Sequence, residues 1–177
     1  MSSELALIDP DYHPTTGRQA INRINHNKVF HPELPTYKDH IGAALDKGPN
    51  RAEFYVHLGI NEKFIAGGFY HPSSDLLKLI RDAIDYDGYY LKEIISEPTF
   101  QQYFGDIWRE DALKNSPKDF SKDHEHIDLL KLKSFVVTRD LTLSQIKSKD
   151  FMKDIVKTYQ AMLPFRQYLN KAVSFEE

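Results

Sequence analysis

The sequence predicts an α+β fold in which an antiparallel sheet carries its helices mainly on one face. Three observations lead there. Residues 53–60, "EFYVHLGI", alternate Phe54, Val56 and Leu58 against Glu53, Tyr55 and His57, the period of a half-buried strand. After a short "NEK" turn, "FIAGGFYH" runs back as its hairpin partner. Helical spacing then dominates the later chain, and strands followed by clustered helices point to α+β rather than to alternating units.

In chain order, residues 1–20 read as an irregular N-terminal segment, with two prolines and a glycine in "DPDYHPTTGRQ". "INRINHNKVF" (21–30) is an expected strand. "HPELPTYKDHIGAAL" is a proline-broken loop expected to turn helical near Ile41, and "LDKGPNRA" (45–52) is a turn. After the hairpin, Pro72, Ser73, Ser74 and Asp75 form a helix start, a serine cap with an early acid facing the dipole. Leu76, Leu79, Ile80, Ala83 and Ile84 then recur at helical spacing and place a helix over 74–85 on the apolar face of the hairpin. Gly88 is an expected break, and Pro98 should interrupt one or two shorter helices. "HEHIDLLKLKSFVVTRDL" predicts a short helix leading into a strand around Phe135, Val136 and Val137. From Ser144 to Val173 the pattern is helical again, with Phe151, Ile155, Tyr159 and Met162 on one face and Pro164 expected to kink or divide it. All 177 residues fit one domain.

The composition, 41% hydrophobic and 28% charged, is that of an ordinary soluble globular chain. A net charge of -3 argues against a surface built as a whole to grip nucleic acid, while leaving room for a local basic patch. The chain has no cysteine, which excludes a disulfide framework, a thiolate metal site and a cysteine nucleophile, and suits a cytoplasmic address. No run approaches the roughly 18 apolar residues of a membrane span. There is no HExxH, GxxxxGK[ST] or GxSxG, and no GxGxxG following a strand, so no cofactor is implied.

The hairpin is where a site would lie. If its loop keeps the register, Tyr55 and His57 share a face with Ala66, Gly68 and Tyr70, while Phe54, Val56, Leu58, Ile65, Gly67 and Phe69 form the core face. Gly67 and Gly68 inside a strand mark either a bulge or a close helix crossing, or a floor where a ligand approaches the backbone. His57 is the acid–base candidate; His71, before Pro72, is a second histidine at the strand-to-helix corner. "DHEH" (123–126) opens a helix, where two histidines at i and i+2 diverge, so Asp123 reads as a cap and no metal is expected. Lys38, which follows Tyr37, together with Arg81, Lys131 and Lys133, could line an anion pocket with His57, although each alone reads as surface solvation.

The order of these motifs resembles the family known as domain of unknown function 2461. The resemblance runs from about Leu5 to Val173 and rests on Tyr37-Lys38, the Tyr-x-His of 55–57, the Gly-Gly-x-x-His-Pro of 67–72, Arg81, and Leu129-Leu130 with Lys133. It implies an α+β fold and a shared surface, and no reaction. Family members typically begin with further helical residues that include a Trp-Phe pair. The resemblance therefore implies a surface without its usual cover, to be filled by residues 1–20 through Leu5, Leu7 and Ile8, or by a protein partner or second copy. The second route is the one slightly favoured, because "DPDYHPTTG" looks too irregular to replace a helix. The family's charged stretch before Tyr-Lys is replaced here by "HNKVFHPEL" (26–34), which implies loss of part of any polar site built there.

These readings give three expectations. The first is a ligand- or partner-binding module using Tyr37, Lys38, Tyr55, His57, Gly67, Gly68, His71, Arg81 and Lys133. The second is an enzyme acting on a small anionic substrate, with His57 as acid–base and Lys38, Arg81 and Lys133 as clamps. The third, disfavoured by the net charge, is nucleic-acid binding through the same bases and tyrosines. The enzyme reading requires His57, Lys38 and Arg81 to converge in one concave pocket.

Overall fold

The computed structural model describes residues 2–15, 17–30 and 32–174. Its elements are α1 (Ser2–Ile8), α2 (Gly17–Ala20), β1 (His40–Asp46), β2 (Glu53–Gly59), β3 (Lys63–Phe69), α3 (Ser74–Ser96), α4 (Pro98–Phe104), α5 (Ile127–Leu130), β4 (Phe135–Asp140), α6 (Leu143–Ile146) and α7 (Phe151–Val173). The strands form one antiparallel sheet in the order β1-β2-β3-β4, so the α+β expectation holds.

The hairpin register is the one that alternation demands. Val56 pairs with Ile65 and Phe54 with Gly67, and Phe54, Val56 and Ile65 are all buried. Burying each large apolar side chain contributes roughly 1.5–3 kcal/mol. The helix that covers this face is α7 rather than the expected 74–85 segment. Tyr159 meets Phe54 edge-on at 4.9 Å, and Met162 lies under Gly67. Helix α3 packs chiefly on α7, α4 and α5. Its start is as expected: Ser73 accepts a hydrogen bond from the Leu76 N–H.

Gly67 and Gly68 have different reasons. A Cβ on Gly67 would collide with the Met162 sulfur, so the glycine lets α7 come close. Gly68 has φ of 120°, and a Cβ there would collide with the Phe135 carbonyl on β4. No L side chain fits that combination without strain.

Several local expectations are corrected. Residues 40–46 form β1 instead of a helix near Ile41. Gly42, Ala43 and Ala44 are too small to display the apolar alternation, and pairing with β2 decides the outcome. The 21–30 strand reduces to isolated bridges at Ile21 and Asn25. The break expected at Gly88 falls one residue earlier, at Asp87 (φ -145°, ψ 53°), where two helical stretches of α3 meet across a kink; Gly88 itself is there because a Cβ would collide with the buried His126 ring. Pro164 neither divides nor ends α7. Asp123 does not cap α5, whose N-cap is His126.

Residues expected to be irregular include the helix α1, which packs on α7 with Leu5 fully buried. The N-terminal segment therefore folds back over the domain through Leu5, while Leu7 is exposed. A bulge in β1 between Ala44 and Asp46 turns Asp46 onto the core face. There the buried Arg166 guanidinium bonds the Asp46 carboxylate and the Ala52 carbonyl. Tyr159 donates to Asp9 at 2.6 Å, which ties the end of α1 to the same buried cluster.

Candidate functional site

The other face of the sheet is open. A groove of about 910 Å³ runs across it, with Tyr55, His57, Phe64, Ala66, Gly68, Val136 and Thr138 from the strands among its lining. Small side chains at Ala44 and Ala66, with Gly68, keep the floor low. Trp108 and Tyr70 stand at one end, their rings 5.7 Å apart. Trp108 is held there by its N–H bond to the Val136 carbonyl on edge strand β4. Lys47, Arg51 and Glu53 also line the groove; Lys47 pairs with Glu53 at 3.4 Å, and Arg51 bonds the Asp11 carbonyl.

Across β1, β2 and β3 three rings stack in a row. His40 lies on His57 at 4.3 Å, and His57 lies on Phe64 at 4.6 Å with planes only 3° apart. The pairing of His57 with Phe64 sets the second contact; a diagonal across β1 sets the first. Gly59 permits this, because a Cβ there would press within 3.1 Å of His57 Nε2 and 3.2 Å of His40 Cβ. Gly42, opposite His57, makes room for the Tyr55 ring, which a Cβ would strike at the hydroxyl.

Electrostatics follow from this packing. Partial burial, reinforced by repulsion from His40, lowers the His57 pKa from its ordinary value, against the opposing pull of Glu62 and Asp39. His57 is accordingly neutral at pH 7. Burial raises the Tyr55 pKa, and a hydrogen bond with Asn22 opposes the rise. The Tyr55 hydroxyl lies 3.2 Å from His57 Nδ1, within hydrogen-bond reach. Asp39 lies 3.0 Å from His40 Nδ1, and that hydrogen bond holds its carboxyl below the usual range.

Of the residues singled out in the sequence, the groove brings together Tyr55, His57, Gly67 and Gly68. It does not gather the others. Tyr37 is exposed and pairs with Asn25 by a backbone bridge, and Lys38 donates its N–H to the Ile24 carbonyl, so both close the 21–38 loop. Arg81 bonds the carbonyls of Leu130 and Leu132 at 2.9 and 3.2 Å, clamping the end of α5, and burial lowers its pKa. Lys133 is half-buried just before β4. His71 stands beside Tyr70 at the rim, with ring centroids 4.2 Å apart. His57, Lys38 and Arg81 thus do not share the groove. Sequence reasoning missed His40, Phe64, Trp108 and Thr138. For His40 the signal was present: His40, Gly42 and Ala44 alternate onto one face once residues 40–46 are read as a strand.

Among the described residues no group of three or more His, Asp or Glu side chains is arranged to hold a metal ion, and no helix is long and apolar enough to cross a membrane. No curated protein and no solved structure matches the chain. A family model does match, over residues 1–168, and the chain belongs to that family, described as "Conserved hypothetical protein (DUF2461)".

Proposed function

We propose that the protein is a ligand-binding module whose site is the open face of the sheet, and that its ligand is a small planar ring carrying an anionic group. The observation that carries this reading is the His40–His57–Phe64 stack beside a floor of small residues. A sheet face that only meets water has no need of stacked rings, interior glycines and a volume within the ordinary range of small-molecule pockets. The imidazole and phenyl rings offer flat faces for a ring to lie on. Lys47, exposed beside Glu53, and Arg51, whose Nε has no hydrogen-bond partner, line the groove and offer positive charge for its anionic group.

A ligand module is preferred to a surface awaiting a partner, because α1 already occupies part of α7. It is preferred to the clamp-based enzyme, because Arg81 is spent on carbonyls. A cytoplasmic address belongs to the same proposal. The test is a thermal-shift screen of planar aromatic carboxylates against the full chain and an Ala66→Leu variant, whose larger side chain fills the floor. Stabilisation of the parent that is lost in the variant is expected. Stabilisation that survives in Ala66→Leu would place the ligand elsewhere.

A further inference from the structure

At the Trp108 end of the groove the chain builds a second constellation that the ligand reading does not use. His71 has φ of 46°, a left-handed conformation, although it is not glycine and precedes Pro72. Such a residue is strained and persists only where its surroundings hold it. The residue before a proline is itself pressed toward extended backbone.

Here the surroundings close a ring. The His71 N–H donates to Ser134 Oγ at 3.1 Å. Ser134, fully buried, donates its hydroxyl to Asp111 Oδ2 at 3.0 Å. The same Oδ2 lies 3.5 Å from His71 Nδ1. The Asp111 side chain is only 12% exposed, its Oδ1 is buried with no hydrogen-bond partner, and the His71 side chain is 52% exposed. A nearly buried carboxylate that gains one hydroxyl donor is short of donors, and an imidazole N–H is the nearest further one. The Tyr70 ring at 4.2 Å and the Trp108 ring at 6.3 Å flank the imidazole.

We propose that His71 and Asp111 form an acid–base dyad at the rim of the groove, in which His71 Nε2 takes a proton from a hydroxyl of a ligand held beside Trp108 and returns it. Asp111 is the positioning residue. It accepts the Nδ1 proton, so that neutral His71 carries its lone pair on Nε2, and as a carboxylate it stabilises the imidazolium formed when the ligand proton arrives. Asp111 itself takes up no proton. Ser134 is excluded as a nucleophile because its hydroxyl is buried and already engaged by Asp111 and the His71 N–H. The separation of 3.5 Å is loose for a hydrogen bond, as catalytic contacts often are before a ligand tightens them. The proton transfer rests on the groove being the ligand site, while the dyad can be tested without any ligand.

The experiment is nitrogen-15 NMR of the histidine side chains in the full chain, combined with peptide-resolved labelling by diethylpyrocarbonate, a reagent that acylates an unprotonated ring nitrogen. His71 is expected as the Nδ1–H tautomer at alkaline pH, and to label several-fold faster than His40. Asp111→Ala is expected to switch His71 to the Nε2–H tautomer and to slow its labelling several-fold. Ser134→Ala, which keeps the carboxylate, is expected to retain the parent tautomer. If Asp111→Ala fails to fold, the tautomer and labelling of the parent chain alone decide. An Nε2–H tautomer in the parent, or labelling no faster than at His40, overturns the dyad. Neither readout uses a groove ligand, so a failed ligand screen and a failed dyad are separate results.

Discussion

The two faces of the sheet use the same strands for opposite ends. On the covered face every β2 and β3 position beneath α7 is large and apolar, or is Gly67 where Met162 needs room, and even its polar members are locked into the Arg166–Asp46–Asp9–Tyr159 cluster. On the open face the rings of His40, Tyr55, His57 and Phe64 lie beside the small residues Gly42, Ala44, Ala66 and Gly68, and the rings stack without filling the space above them. One face is therefore specified by packing. The other keeps a shape that packing does not require, which is why it is the place to look for function.

The covered face should break hardest. Replacing Arg166 by Met removes the cation from beside the buried Asp46 and Asp9 carboxylates and leaves them the Tyr159 hydroxyl and the backbone N–H groups of His13 and Asp11 as donors. Removing one partner of a buried ion pair costs roughly 3–5 kcal/mol. Urea unfolding of R166M is expected to show a loss of that size; a loss below about 1 kcal/mol would mean the cluster is not buried as a unit.

The glycine pair sharpens the contrast between the faces. Gly68→Val forces a β-branched residue to φ of 120° and drives its Cβ into the Phe135 carbonyl, at roughly 1–3 kcal/mol for the backbone alone. Gly67→Ala keeps an ordinary backbone conformation and meets chiefly the flexible Met162 side chain, with the Glu53 carbonyl at 3.0 Å, and should cost less. Ala66→Val adds two methyl groups beneath an open groove and should cost less than about 1 kcal/mol. Melting temperatures should fall in that order, and equal losses at Gly68 and Ala66 would remove the special backbone role of Gly68.

The smallest effect is the pH response of the open face. The folded pKa of His57 lies below the ordinary 6.5. A base with a lowered folded pKa binds fewer protons folded than unfolded. Its contribution to stability is therefore complete above the unfolded value and is lost as pH falls through the folded one. NMR titration should place His57 below free histidine, and His40→Gln, which removes the neighbouring titratable ring, should move it back part of the way. A midpoint at or above 6.5 would contradict the partial burial of His57 in the stack.

These contrasts also explain what could be read from the chain. The hairpin and the start of α3 were legible, because alternation and a serine cap are local signals. Strand β1 was not, since Gly42, Ala43 and Ala44 carry no strong pattern and the bulge before Asp46 changes face midway. Arg81 read as an anion clamp because a sequence shows a charge but not the Leu130 and Leu132 carbonyls that use it. Arg166 and Asp111 were missed for a related reason: their partners lie far along the chain, and neither sits in a recognisable motif.

The central claim is that the open face of the sheet, and no other surface, receives the ligand. Chemical-shift mapping of the labelled full chain against benzoate, nicotinate and indole-2-carboxylate tests it most directly. Perturbations are expected at Tyr55, His57, Phe64, Ala66, Thr138 and Trp108, with Arg81 and Lys133 unmoved. Perturbations centred on the exposed side of α3 or on the 21–38 loop, with the open face silent, would contradict it.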